Sequence, residues 1–416
     1  MTSAILTESD VSQLVTDLVA AGTQVIAPVP AGRDWEQTEY RTIERLEDAV
    51  LEGPLPRRSL KEFLRPGQQD ERGAPGRQVI LGARPCDAAG AETLDKVMRL
   101  EYRDELWRAR RSATTIVSIA CRHVERSCFC SAVGSGPDST RGADAILVPL
   151  DAAAGPPPSR ARIAEQLRRC VDMFLIDSQP YPGAAELEAR EAPPARALTP
   201  MRWAARAVTL RGAVLLEGRG LPVPDAAAAR VDTVARAARE VVANNLDRMR
   251  LRRRYERPDY LAEARLGLMA ADGGELLDGS PALAPTGLAR LPEWLARNHD
   301  HEMWKKLGER CRSCGNCSAV CSTSPCFDMD DPDADAPRPG DATRARSASP
   351  SAGASRPARP EHFCQRLMHK FSIHPRRFDQ VLCTGCGRCS RSCEGGVNLP
   401  EVLGGLVQLA YAPARI

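Results

Sequence analysis

The chain has 416 residues, with 57 Lys and Arg against 54 Asp and Glu and a net charge of +3. That length suits two or three domains with buried cores, and the near-neutral balance supplies no electrostatic reason to bind nucleic acid or an acidic membrane. No apolar run is long enough to span a bilayer. The start, MTSAILTESDVSQLV, lacks the charged and apolar regions of a secretory signal. The expected setting is therefore cytoplasmic and reducing. There, clustered cysteines bind metal or carry out redox work rather than form disulfides. Fifteen cysteines are present and they are clustered.

In chain order, TESDVSQLVTDLVAAG reads as an amphipathic helix capped near Ser9, with Leu14, Val15, Leu18 and Val19 on its apolar face. QVIAPV reads as a short strand, and RQVILGA (77–83) as a buried one. DAAGAETLDKVMRL (87–100) reads as a helix capped by Asp87. ATTIVSIA (113–120) is a further buried strand and DAILVPL another candidate. Strand, helix and strand in that order predict a right-handed βαβ unit in a mainly parallel sheet. AAAGPPPS marks a loop, 159–176 reads as helical, and RAVTLRGAVLLEGRG as one or two strands. Residues 225–255 are helical and highly charged in pattern. LPEWLARNHDHEMWKKLGERC reads as one helix leading into a cysteine cluster. Residues 331–360 contain no Leu, Ile, Val or aromatic residue, the composition of a disordered insertion.

One short motif occurs twice. CRSCGNCSAVC (311–321) and CTGCGRCSRSC (383–393) share the spacing C-x2-C-x2-C-x3-C. Three closely spaced thiolates hold three corners of a cubane cluster, and Gly315, Gly385 and Gly387 allow backbone N–H groups to approach the sulfurs. In two-cluster ferredoxins the fourth Cys of each motif ligates the other cluster. That rule gives one cluster on Cys311, Cys314, Cys317 and Cys393, and a second on Cys383, Cys386, Cys389 and Cys321. Paired zinc sites are an alternative, but zinc needs only two close cysteines per half-site and leaves the rest of the spacing unexplained twice. The Pro that usually follows the fourth Cys is absent, replaced by Ser322 and Glu394.

A third group lies upstream. Cys86 follows the strand RQVILGA and Cys121 ends the strand ATTIVSIA. If those strands are parallel neighbours, both cysteines emerge at the carboxyl edge of the sheet, where open α/β sheets place ligands. Cys128 and Cys130 fall in the loop that follows. Four converging thiols are the donor set for a third [4Fe–4S] cluster, with Gly134 and Gly136 letting backbone N–H groups near the sulfurs. Zinc, a redox-active disulfide and separately buried thiols are the alternatives. Cys170 and Cys364 read as packed thiols, and Cys326 as a packed thiol or a sulfur beside the second cluster. Lys305, Lys306, Arg312, Arg388 and Arg391 flank the motifs, as potential-raising charges, as a docking face for an acidic partner or as a solvated face. No catalytic triad, zinc-protease motif, Walker loop or full dinucleotide fingerprint occurs.

MWKKLGERCRSCGNCSAVCSTSPCFDMD, QRLMHKFSIHPRRF and CTGCGRCSRSCEGGVNLPEVL together resemble the C-terminal half of the iron–sulfur beta subunits of cytoplasmic sulfhydrogenases. The same pattern resembles the iron–sulfur subunit of anaerobic sulfite reductase. RRSLKEFLRPGQQ, LGARPCDAAGAETLD and ACRHVERSCFCSAVGSGPD are similar to that family's upstream blocks. Where the family carries a Pro-Thr-Cys-x-Cys-Phe run, this chain has CSTSPCFD, with Ser324 in place of one cysteine. The resemblance implies a relay between a flavoprotein partner that handles NAD(P)H and a catalytic hydrogenase or sulfite/sulfur reductase subunit. It implies neither nucleic acid nor a membrane span. A substrate-reducing enzyme that uses the N-terminal cluster on sulfur or a disulfide is the second reading, and a zinc-stabilised scaffold the third. The expected class is α+β. An N-terminal α/β domain (1–220) precedes a helical connecting segment (221–300). A helical ferredoxin-like dicluster domain (301–416) follows, interrupted by the insertion at 331–360.

Overall fold

The computed structural model describes residues 3–31, 34–64, 76–101, 103–121, 124–125, 127–150, 202–222, 236, 239, 242, 288–324 and 359–411. The helix expected at 159–176, along with Cys170, Cys326 and nearly all of the 331–360 insertion, lies outside these residues; of the one expected at 225–255, only 236, 239 and 242 are described, and they are helical. The end of that insertion is corrected: a helix already begins at Arg359.

The N-terminal half is built on one eight-stranded sheet in the order β3-β2-β4-β5-β6-β7-β1-β8. Its centre is four parallel strands, β2 (Gln24–Ala31), β4 (Gln78–Ala83), β5 (Thr114–Ile119) and β6 (Ala145–Pro149). Antiparallel strands extend both flanks: β3 (Asp34–Ile43) on one side, and β7 (Arg202–Ala207), β1 (Ser3–Thr7) and β8 (Leu221–Pro222) on the other. The expected parallel unit is thus the middle of a mixed sheet. Every residue of β4 is buried, as a strand covered on both faces requires. Side chains alternate between two cores. Val79, Leu81, Val117 and Ile119 pack with Val11, Val15 and Trp203 on one face. Ile80 and Ile116 pack with Leu94, Met98 and Trp107 on the other.

Local chemistry moves several element boundaries. The first helix (Glu8–Ala20) is capped by Thr7, not Ser9: Thr7 Oγ1 accepts from the Asp10 amide at 3.2 Å and Asp10 Oδ2 accepts from the Thr7 amide at 2.8 Å. The helix after β4 spans Pro85–Lys96, with Pro in its first turn. Asp87 therefore lies inside that turn and is not its cap. RAVTLRGAVLLEGRG is not a pair of strands: its first two residues end β7, and Leu210–Leu216 is a helix whose cap, Thr209, accepts from the Gly212 amide. Residues 291–311 form two helices, Leu291–Arg297 and Met303–Arg310. Asn298 breaks the run, donating its side-chain amide to Trp294 O at 2.7 Å while its own carbonyl accepts from the Trp304 indole at 2.7 Å.

The C-terminal half is helical. Leu291, Leu295, Trp304, Leu307, Leu367, Phe371, Val402 and Leu406 form its core, and Phe129, Ala132 and Val133 from the loop beyond β5 are packed into the same core. A buried ion pair joins the two halves. Arg388 Nη1 and Nη2 donate to Asp87 Oδ1 and Oδ2 at 2.6 and 2.7 Å, and Arg388 Nε donates to Pro56 O at 2.7 Å. Tyr40 donates its hydroxyl to Asp87 Oδ2 at 2.9 Å. Arg388 is 1% and Asp87 0% exposed, so the solvated-face reading of Arg388 is corrected. Asp87→Ala leaves a buried guanidinium without its anion. The expected loss is about 3–5 kcal/mol, checked as a lower urea midpoint; a midpoint equal to wild type would refute it.

Candidate metal centres

The cysteines gather in three places. The first is a cavity with about 640 Å³ of non-protein space, part of it open to solvent, lined by Cys311, Cys314, Cys317, Cys389 and Cys393. Cys311 is held at the end of the helix Met303–Arg310, anchored by the burial of Met303, Trp304 and Leu307. Cys393 Sγ accepts from the Val397 amide at 3.3 Å. Glu394 is exposed and accepts from Asn316 Nδ2 at 3.2 Å.

The second is the group Cys321, Cys383, Cys386 and Cys389, whose thiols stand close enough to act on one another electrostatically. The fourth cysteine of each motif thus lies with the first three of the other. Burial pushes the Cys383 thiol up to about 12, against the opposing pull of Lys370. Burial also raises Cys389. Cys321 goes the other way. Burial would raise it, but Lys370, then Arg366, Thr323 and Lys61, together hold it at about 5. Lys370 Nζ donates to Cys321 Sγ at 3.3 Å, to Thr323 Oγ1 at 3.1 Å and to Leu382 O at 2.9 Å. Gly385 donates its amide to Cys383 Sγ at 3.4 Å.

The third is the N-terminal group. β4 and β5 are parallel neighbours, and Cys86 and Cys121 follow them at the carboxyl edge as the sequence predicts. Cys86, Cys121, Cys128 and Cys130 line one cavity, with about 390 Å³ of non-protein space, together with Arg84, Pro137 and Gly136. Gly134 is not in that lining; it ends the short turn Cys130–Val133 in the left-handed region. Burial raises all four thiols: Cys86 and Cys128 well above the ordinary range, Cys130 to about 12, and Cys121 upward against the pull of Arg84.

One wall of this cavity was not foreseen from the sequence. Gly385 and Cys386 of the second motif supply it. Phe129 donates its amide to Gly385 O at 2.8 Å, and Cys128 Sγ approaches Cys386 O at 3.7 Å. Gly385 has φ +68°, and a Cβ there would come within 2.5 Å of Cys130 Cα; one at Gly387 would overlap the Ser127 carbonyl. These two glycines let the loops touch backbone to backbone. Cys386 therefore borders both the second and third groups, and Cys389 both the first and second. Cys364 is a buried helix thiol apart from all three, its Sγ 3.7 Å from His299 O. Its burial raises it to about 11.

Among the described residues no three His, Cys, Asp or Glu side chains converge on a point suited to a single metal ion; the thiols line wider cavities. Soft thiols with amide donors aimed at sulfur and buried cations alongside fit iron–sulfur clusters. The comparisons agree. Residues 310–397 match the 4Fe-4S dicluster domain. Sulfhydrogenase 2 subunit beta of Pyrococcus furiosus is 32% identical over 112 residues, covering 24% of this chain and 32% of that protein. The match thus takes in about a third of that relative's length. No solved structure matches the chain. The dicluster domain and this likeness bear out the resemblance to the iron–sulfur beta subunits, and no helix among the described residues is long and apolar enough to cross a membrane.

The sequence motifs do not reveal the cations beside the thiols. Lys61 donates to Ser318 O at 3.1 Å, and Arg366 Nη1 and Nη2 to Ser318 Oγ at 2.8 Å and Cys317 O at 2.9 Å. The available signal was the four-residue spacing of Arg366 and Lys370, which sets both on one helical face. Of the cations that were singled out, Arg391 pairs with Glu125 at 3.2 Å and Lys306 with Glu302 at 3.8 Å.

Metal ligation requires thiolates, and burial raises the N-terminal thiols, so any metal these four thiols take up must displace their protons. Uptake at this site is expected to rise from about pH 7 to about pH 9. Reconstitution of iron-free protein with iron and sulfide at a series of pH values, scored by iron content, checks this. Uptake that falls over that range would contradict it.

Proposed function

We propose that this chain is an electron-transfer iron–sulfur subunit with three [4Fe–4S] clusters. Two are held by Cys311, Cys314, Cys317 and Cys393, and by Cys383, Cys386, Cys389 and Cys321. The third is held by Cys86, Cys121, Cys128 and Cys130. The subunit relays electrons between a flavoprotein reductase partner that handles NAD(P)H and a catalytic hydrogenase or sulfite/sulfur reductase partner. The observation that carries the reading is contiguity: Cys386 belongs to two neighbouring thiol groups and Cys389 to two.

A bound [4Fe–4S] cluster supplies one-electron reduction and oxidation. The chain's own residues hold it, exclude water and donate to its sulfurs. The N-terminal cavity has four thiols, a full set with no vacant corner for a substrate, and this favours a relay over direct reduction of sulfur or a disulfide. The likeness to a hydrogenase beta subunit supports a multi-subunit complex.

Anaerobic purification of the native complex tests the reading. A brown protein with about twelve irons per chain is expected; about eight would leave only the dicluster pair. A colourless, zinc-loaded chain would sink the proposal, and so would a chain that copurifies with neither partner. Cys86→Ser is expected to lower the count by about four irons and leave the other clusters in place. An unchanged count would remove Cys86 from the ligand set.

A further inference from the structure

Lys370 gives the two thiol groups of the dicluster domain unequal surroundings. Lys370 lies on the widened turn His369–Ile373 that continues the helix Arg359–Met368, and it is 4% exposed. Such turns occur within helices at functional positions. Two of the three atoms Lys370 donates to are neutral oxygens, and the third is Cys321 Sγ. No carboxylate among the described residues pairs with it. A buried ammonium needs an anion nearby to offset its lost hydration, and here that anion is the sulfur of Cys321. Arg366 stands one turn earlier. Burial would lower its pKa, but Cys317, Cys321, Cys389 and Cys383 override that and raise it. Arg366 is thus shared between the groups: it lines the first cavity, and Cys317 acts on it more strongly than any thiol of the second. At the first group the donor seen on Cys393 is a neutral amide, that of Val397.

We propose that Lys370 is a positioning charge. It sets the reduction potential at Cys321, Cys383, Cys386 and Cys389 above that at Cys311, Cys314, Cys317 and Cys393. The reason is electrostatic. Each added electron makes a thiolate-ligated cluster more negative, and a fixed cation in a low-dielectric site favours the more negative state. Electrons in the dicluster domain then settle at the second group, the one that shares its Cys386 wall with the N-terminal cavity. This inference rests on the two-cluster reading of the domain.

The test is a redox titration of the anaerobically purified full chain, followed by electron paramagnetic resonance, with iron counted on the same samples. Iron content reports the cluster reading, and the potentials report the inference. Lys370→Met is expected to keep its iron and to lower one midpoint by at least tenfold in the reduction equilibrium, about 59 mV for one electron. The remaining midpoints stay in place, and Lys370→Arg holds the wild-type value. Full iron with every midpoint unchanged in Lys370→Met overturns the proposal. If Lys370→Met loses iron, Lys370→Arg decides. Iron retained there supports a role for the charge, whereas equal loss in both shows that shape alone matters and overturns it.

Discussion

The bidentate pair between Asp87 and Arg388 is the constraint on which the arrangement of thiols depends. Each partner is adjacent to chemistry: Asp87 follows Cys86 directly, and Arg388 lies between Cys386 and Cys389. The pair therefore fixes two cysteine-bearing turns, 301 residues apart in sequence, against each other. Isolated, either charge would be costly to bury. Here each guanidinium nitrogen and each carboxylate oxygen has a partner: Asp87 also accepts from Tyr40, and Arg388 also donates to Pro56. Tyr40 in turn accepts from the Arg84 amide at 3.2 Å, and Arg84 Nη2 donates to Gly53 O at 2.5 Å. The network adds direction more than net stability, because ion pairs and their hydrogen bonds tolerate little rotation.

Charge balance explains why the thiols behave so differently within one interior. The N-terminal cavity has four thiols with Arg84 in its lining, and there burial outweighs the cation and raises every thiol. Around Cys321 three cations come from two parts of the chain, Lys61 from before the sheet is complete and Arg366 and Lys370 from between the motifs. There the local charge outweighs burial. The same residue type thus spans thiol and thiolate at neutral pH for reasons that lie in its neighbours.

Much of this organisation was legible in sequence. The continuous apolar runs at β4 and β5 and the repeated cysteine spacing are strong local signals, and parallel pairing alone was enough to bring Cys86 and Cys121 to one edge. What escaped depends on contacts across the chain. The role of Asp87 could not be read without Arg388, nor that of Lys370 without Cys321. The start of the chain, SAILT, is too short to declare itself a strand; β7 and β8 on either side make it one. The helix Leu210–Leu216 looked like a strand because its run of apolar residues is short, and Leu210 and Val214 are in fact exposed. The split at Asn298 is set by one side chain and one indole, below the resolution of periodicity.

The backbone contact between Gly385 and Cys130 has a consequence for assembly. Most of the N-terminal cavity is lined by residues before 140; Val242 adds to it, and residues 385 and 386 supply a further wall. During synthesis the sheet edge with its four thiols exists while that further wall is still unmade. The thiol pocket is then an open trough. Arrival of the second motif both closes the trough and presents Cys386 to its own neighbours. Closure of one thiol group and completion of the next are thus a single docking event.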